Sequence, residues 1–336
     1  MKSAAARTRR LRTALARVGR VKIAVIGDLV ADEFIYGQLD RVSREAPVLI
    51  LKYDSTEIVP GGAGNAACNA AALGARVRVL GLVGQDDAGG RLLQAIEPRA
   101  DIRDVVRSRG YVTPVKTRIL AGGVHSAKQQ VVRIDRAATT VPAHAARALE
   151  ASLVRALRWV DAVIVSDYGG GLVTPDLWRR ALAAAKRRRP PVVFVDSRYA
   201  LSGFTGMTAC TPNESEVEAL LGIRIRDDRD VLERAGRTLL DRLRCRAVLI
   251  TRGSRGMALF EPGRPTDHID IVGSDEIADV TGAGDTVIAT FALAVASGAT
   301  FGDAARLANH AGGLVVMKRG TATVSRRELA AVLTRR

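Results

Sequence analysis

Aromatic side chains are scarce in this sequence: Phe, Trp and Tyr make up 4% of its 336 residues. Ala, Val, Leu and Ile must therefore supply most of any core, and a 47% hydrophobic share is enough for a substantial one. The three cysteines, Cys68, Cys210 and Cys245, stand far apart. That excludes a disulfide framework and a clustered metal site, and fits buried thiols in a reducing cytoplasm. The four histidines, His125, His144, His268 and His310, show no metal spacing either. No apolar run approaches the ~20 residues that span a bilayer. The longest, Val287–Ala296, reads as a helix buried in a core. A G-x-x-x-x-G-K-[ST] run is missing, which excludes a P-loop nucleotide site.

Acidic residues are outnumbered: 35 Asp and Glu against 51 Lys and Arg leave a net charge of +16. The excess is uneven. Lys2, Arg7, Arg9, Arg10, Arg12, Arg17 and Arg20 put +7 into residues 1–20, so +9 is spread over all the rest. Leu11, Leu15 and Val18 recur there at i, i+4 and i+7, the stripe of a short helix that docks on a core. The roughly 7–15-residue apolar centre of a secretory signal is absent. A nucleic-acid binder is expected to join a basic face to aromatic platforms, and few aromatics are available. A dispersed positive field instead suits phosphorylated ligands. Residues 1–20 read as a basic N-terminal helix and 21–336 as one domain.

Short β-branched runs at Val21–Ile26, Val77–Val83, Ala162–Val165, Val192–Val195 and Ala247–Ile250 have the character of buried parallel strands. Helical patterns at Asn65–Leu73, Ala143–Leu157, Leu177–Arg188 and Asp230–Leu243 separate most of them. This alternation predicts an α/β fold with a doubly wound, mostly parallel sheet flanked by helices. Ligands in such folds bind beyond the carboxyl ends of the strands. Two stretches break the rhythm, Phe34–Val59 and Tyr111–Ile134. They read as short strands with turns at Tyr36-Gly37 and Gly122-Gly123, a small inserted β-sheet that serves as a lid.

The strongest chemical signal is DVTGAGDT (Asp279–Thr286) ahead of an apolar helix. A helix N-terminus offers unpaired N–H groups and partial positive charge, an anion site. Asp285 is there either an N-cap or a base. A cap alone would tolerate larger residues before it, whereas close approach of backbone to a phosphate would not. At an ordinary carboxylate pKa of about 3.9, such a base needs no tuning at neutral pH. Gly62–Ala67 fits the dinucleotide pattern G-x-G-x-x-A, the only feature favouring an NAD-dependent oxidoreductase, but it follows the lid instead of the first buried strand. Asp28 follows the first strand, where a sugar hydroxyl could be gripped, and Asp32 reads as a turn or helix residue. Thr211–Glu216 opens a helix with Asn213 as cap and Glu216 completing a capping box, or ordering the waters of Mg²⁺.

Together IGD (Ile26–Asp28), GGAGNAACNAAALGA (Gly61–Ala75), SDYGGG (Ser166–Gly171), TPNESE (Thr211–Glu216) and DVTGAGDT resemble the ribokinase-like (PfkB) carbohydrate kinases over Val21–Leu329. The resemblance implies a ribokinase-like fold and ATP-dependent phosphorylation of a sugar hydroxyl. Asp285 matches the catalytic base, with Gly282, Ala283 and Gly284 as its anion hole. Asp28, Gly61, Gly62 and Asn65 match sugar-binding positions. Asn213, Asp196, Thr251, Gly253, Gly256 and Asn309 fall where the family holds the nucleotide. Glu216 matches the Mg²⁺-organising position, and Asp279 and Thr281 a monovalent-cation loop, K⁺ among its ions.

RVSREAPVL (Arg41–Leu49) and Ala308–Ser325 resemble the branch of the family that acts on heptose 7-phosphate, which in many bacteria forms half of a bifunctional ADP-heptose synthase. With no room for a nucleotidyltransferase before residue 336, the chain is expected to be the stand-alone form. Kinases for ribose, fructose or a nucleoside are the alternatives within the family. Arg41, Arg44, Lys116, Arg118 and Arg133 lie in the lid runs and are the candidate contacts for a phosphate already on the sugar. Two positions depart from the family pattern: Gly170 stands where a Lys is usual in SDYxKG, and Ser197-Arg198 replaces the Pro-Lys of DPK. The exposed lid edge predicts pairing into a homodimer, with neither nucleic acid nor membrane as partner.

Overall fold

The apolar runs become the middle of a nine-stranded sheet. The structure, a computed structural model, describes residues 2–123, 128–137, 139–185, 190–272 and 279–334. Its strands are β1 (Lys22–Gly27), β2 (Leu29–Val42), β3 (Leu49–Gly62), β4 (Arg76–Gly84), β5 (Asp101–Ser108), β6 (Val115–Gly122), β7 (Gln129–Arg136), β8 (Ala162–Asp167), β9 (Val192–Ser197), β10 (Ala209–Cys210), β11 (Ala247–Thr251), β12 (Met257–Phe260) and β13 (Asp267–Ile269). The helices are α1 (Lys2–Arg17), α2 (Ala63–Ala72), α3 (Asp87–Ile96), α4 (Ala143–Leu157), α5 (Pro175–Ala185), α6 (Glu214–Leu221), α7 (Arg229–Leu243), α8 (Ala283–Ala296), α9 (Phe301–Val315) and α10 (Arg326–Val332). His125 and the lid residues 124–127 lie outside the described residues, as do 186–188 at the end of the helix expected to reach Arg188.

The large sheet runs β13-β12-β11-β10-β9-β8-β1-β4-β5. It is parallel from β5 through β11, and β12 and β13 close one edge antiparallel. Strand order reverses at β1, which pairs with β4 on one side and β8 on the other. A crevice therefore opens beyond the carboxyl ends of β1 and β8, where two following loops part to opposite sides. The residues bordering it are Asp28, Asp167, Tyr168 and, further along, Asp196. Helices cover both faces and make two apolar layers. In the first, α8 is buried almost all round and Phe291 meets Phe194 of β9 edge-on at 5.4 Å. Beside it α2 is nearly all Ala and Gly, so the two helix backbones approach closely.

The lid is a second sheet, ordered β3-β2-β6-β7. The expected turn at Tyr36-Gly37 does not form: β2 and β3 are long antiparallel strands, and a register shift between Tyr36 and Gly37 bends them instead. Asp32, expected in a turn or helix, lies within β2 and is buried. The strands of this sheet leave Val42, Leu49, Tyr53, Val132 and Ile134 exposed, and Val48 is exposed in the turn before β3.

At the other end of the molecule α1 buries Leu11, Ala14, Leu15 and Val18 in the first layer, and Arg10 pairs with Asp303 of α9 at 2.8 Å. No helix among the described residues is long and apolar enough to cross a membrane, and all three cysteines are free and buried. Because the Arg10 side chain is largely exposed, its ion pair adds little, whereas Leu15 is fully packed. Leu15→Ala should cost about 2–5 kcal/mol in denaturant unfolding, whereas Arg10→Ala should leave the unfolding midpoint nearly unchanged.

Candidate active site

Asp285 sits in the third position of α8, not at its cap. The cap is Gly282, held at φ +76°, and a Cβ there would lie 2.3 Å from the Asn65 amide nitrogen. Both the turn and the approach of α2 therefore require glycine. The Ala283 N–H closes the turn onto the Val280 carbonyl at 3.2 Å. The helix start leaves the Gly284 and Asp285 amides directed out of its end. Nothing lies within 4 Å of where a Gly284 side chain would stand. The Ala283 amide is already bonded, so at the expected anion-hole run the Gly284 and Asp285 amides are the ones directed outward.

The Asp285 carboxylate is 3% exposed. Its Oδ2 accepts from Asn65 Nδ2 at 2.8 Å and its Oδ1 from the Tyr168 hydroxyl at 3.0 Å. Burial raises its pKa, and Asp32 adds to this. The bonds from Asn65 and Tyr168, with Lys116 nearby, pull it back, and the result is a value of about 7. The expectation of an untuned carboxylate is corrected here, because the sequence carries no signal of how dry the site is.

Asn65, expected on the sugar, has no free amide. Its Nδ2 also reaches the Gly282 carbonyl at 3.4 Å, and its Oδ1 accepts from Asn69 at 3.0 Å. Asn69 in turn accepts from Thr286 and from the Val324 amide. Both asparagines are 1% exposed. They project from one face of α2 at i and i+4, and two amides in an Ala/Gly helix were the signal for Asn69. Gly61 and Gly62 are buried as well. A Cβ on Gly61 would meet the Asp32 carboxylate at 2.4 Å, and one on Gly62 the Asp28 carbonyl at 2.5 Å. The lack of a side chain at these glycines makes room for the two aspartates.

Asp28 does face the crevice. Its Oδ2 accepts from the Tyr168 and Gly170 amides at 2.8 and 3.0 Å, while its buried Oδ1 has no partner among the described residues. Burial raises its pKa against the pull of those two amides. A Cβ on Gly170 would stand 2.6 Å from Asp28 Oδ1. The missing Lys at 170 is thereby explained: in this chain the loop lies against the carboxylate, and any side chain would displace it.

A cavity of about 230 Å³ opens beside Asp28, and Lys116, Arg136, Arg198, Tyr111 and Tyr168 are among its walls. Of the five lid cations expected to hold a phosphate, only Lys116 lines it. Arg118 is buried and bound to Asp32 at 2.6 Å, and Arg133 is bound to Asp135. Arg41 pairs with Asp40 near the end of β2, and Arg44 is exposed in the lid turn, so neither reaches the cavity within one chain. Arg136 and Arg198 take their place, and the departure from Lys at 198 was the one sequence signal for the latter.

Carboxylates dominate the nucleotide side. Burial and the charges of Glu216, Asp285 and Asp167 push Asp196 well above the usual carboxylate range. Burial also raises Glu216, against the pull of the Asn213 amide and Arg198. The Asn213–Glu216 capping box is present, with both bonds at 2.9 Å, and it engages only Oε2 of Glu216. So much facing negative charge suits a divalent cation. Among the described residues no group of three His, Cys, Asp or Glu side chains could hold a metal ion directly.

Asn213 bridges to Thr251 at the end of β11, and Gly253 and Gly256 form the turn that follows. Asn309 is buried and donates to the Asp270 carbonyl at 2.7 Å, so its amide shapes this rim instead of projecting from it. Burial tends to raise Asp279, but bonds from Thr281 and the Gly320 amide hold it below the usual range.

The pfkB family carbohydrate kinase profile matches residues 21–328. The chain belongs to this family. The bifunctional protein HldE of Geobacter sulfurreducens is 41% identical over 317 residues, 94% of this chain and 63% of that protein. The chain thus spans less than two thirds of that relative's length. The D-beta-D-heptose 7-phosphate kinase of Bordetella bronchiseptica is 38% identical over 94% of this chain and 96% of its own length. Arabidopsis thaliana ribokinase, solved with ribose and ATP, superimposes with a TM-score of 0.73 at 19% identity, covering 94% of this chain and 99% of its own. Escherichia coli phosphofructokinase-2, solved with potassium, gives 0.73 at 18% identity over 94% of this chain and all of its own. At that identity the two structures establish the ribokinase-like fold alone.

The family's α8 carboxylate carries a stability consequence. From the unfolded value of 3.8 to about 7, folded Asp285 binds a proton that the unfolded chain releases. Rising pH therefore destabilises the native state across that window, and the full cost stands above it. Asp285→Asn should raise stability by up to about 4 kcal/mol at pH 8, and the gain should vanish below pH 4. Urea melts of both proteins across this range measure it.

Proposed function

We propose that this chain transfers the γ-phosphoryl group of ATP to a hydroxyl of a sugar that already carries a phosphate, D-glycero-β-D-manno-heptose 7-phosphate, yielding the 1,7-bisphosphate. One observation carries the reading: the buried Asp285 carboxylate lies beside the outward amides of α8, and Tyr168 links it to Asp28, whose Oδ1 is unpaired. Asp28 accepts a hydrogen bond from the sugar. Asp285 takes the proton of the attacking hydroxyl, the new O–P bond forms as the bond to ADP breaks, and the proton remains on Asp285. The Gly284 and Asp285 amides meet the charge on the transferred group. A loose transition state asks for this positioning and charge stabilisation more than for a strong base.

Mg²⁺ on the Glu216 side would neutralise phosphate charge near Asp196. Asp279 and Thr281 would hold K⁺ beside the α8 turn, as the potassium complex of phosphofructokinase-2 suggests for a related fold. Lys116, Arg136 and Arg198 support a phosphorylated substrate, since none of the three is ion-paired among the described residues while Arg118 and Arg133 are. The Bordetella relative's name points to heptose 7-phosphate.

A panel of sugars and sugar phosphates in a coupled ADP-release assay tests the reading. Heptose 7-phosphate should exceed ribose and fructose in kcat/KM. Asp285→Asn should lose ~10²–10⁴-fold in kcat, and Arg198→Ala should act mainly on KM for the sugar phosphate. Faster turnover of unphosphorylated ribose would reject the heptose assignment.

The exposed apolar face of the lid supports a homodimer in which a second copy covers Val132, Ile134, Val42 and Leu49. Ile134→Asp should then convert a dimer to a monomer in light scattering, and a wild-type monomer at micromolar concentration would refute the assembly.

A further inference from the structure

Tyr168 touches both sides of the reaction. It stands in the loop after β8, and its amide donates to Asp28 Oδ2 at 2.8 Å while its hydroxyl donates to Asp285 Oδ1 at 3.0 Å. Lys116 Nζ lies 5.2 Å from the Tyr168 ring centroid, and a Cβ at Gly62 would come within 3.6 Å of the ring edge. A side chain with two dihedral angles fixed at both ends has little freedom to turn. Asp285 has two side-chain donors among the described residues, one for each oxygen. Asn65 is anchored by Asn69 in the core, so the other donor, Tyr168, is the one that a ligand in the crevice can influence.

We propose that Tyr168 is a positioning residue for phosphoryl transfer: its hydroxyl sets the orientation of Asp285 Oδ1 toward the acceptor, and its backbone amide ties that orientation to Asp28. The phenol acts as a donor throughout, because burial, then the nearby Asp285 charge, push its own pKa well above the usual value. The other charged groups acting on Asp285 are Asp32, which is bound to Arg118, the carboxylate of Asp196, and Lys116. A donor removed from this set leaves a buried carboxylate with less to hold its charge.

The inference rests on Asp285 being the base. Tyr168→Phe removes one oxygen and keeps the ring, so a folded protein is expected. The acid limb of kcat/KM, near pH 7 for the wild type, should move up by about one unit. Activity at pH 7 should fall about fivefold and return close to the wild-type level at pH 9. A second reading needs no substrate. The stability gap between Asp285 and Asp285→Asn opens near the unfolded value in either background, but the pH at which it levels off, about 7 in the wild type, should rise by the same amount in a Tyr168→Phe background. An unmoved limb together with an unmoved levelling-off pH overturns the role of Tyr168, as does an equal loss of activity at every pH. If Asp285→Asn itself keeps wild-type turnover, the base assignment fails instead, and the stability arm still reports whether Tyr168 holds Asp285.

Discussion

The hydrogen bond from Asn65 to Asp285 is the constraint around which this molecule is arranged. It joins α2 to α8 in a place from which water is excluded, with both residues no more than 3% exposed. Such a bond is possible only if the helices are close, and α2 is built from Ala and Gly for that reason. It also requires glycine at 282, where the chain must turn with positive φ directly against the Asn65 amide. Asn69, Thr286 and the Val324 amide complete the chain of bonds, so the carboxylate is aimed from inside the core. A buried amide network with its members bonded to one another is rigid, and it holds the Asp285 carboxylate in one orientation.

That burial has a cost and a use. Desolvation lifts Asp285 to about 7, so its charge is partly suppressed in the ligand-free site. The same dry surroundings strengthen the field of the α8 amides on any phosphate brought to them. The carboxylates Asp196, Glu216 and Asp285 act on one another in the crevice. Lys116, Arg136 and Arg198 line the adjoining cavity beside Asp28, with Lys116 close enough to act on Asp285 and Arg198 on Glu216.

Much of the fold was legible in order and type. The β-branched runs at Val21–Ile26, Val77–Val83 and Ala162–Val165 became β1, β4 and β8, because a strand buried on both faces must be apolar throughout. The lid was legible as a departure from that rhythm, but its turn at Tyr36-Gly37 was not, since a bulge within a long strand and a true turn share the same residues. Two-residue β10 is too short to announce itself, and β12 and β13 depend on pairing with β11. In the site, Asp285 and Asp28 were readable from strand ends and a glycine turn. Tyr168 stood within a quoted motif without a role, because nothing local shows that its hydroxyl reaches across to α8.

Sequence alone determined the local chemistry: where strands and helices lie, which turns need glycine, and which residue types sit at the strand ends. Tertiary structure decided which of those groups are free. Lys116 and Arg118 share one face of β6, and the register against β2, which sets Asp32 beside Lys116 and Phe34 beside Arg118, lets Arg118 turn to Asp32 and leaves Lys116 on the cavity. Asn65 meets Asp285 across 220 residues of chain, and Tyr168 meets it across 117. Charge, pKa and accessibility depend on neighbours and on water, and both are set only when distant segments pack together.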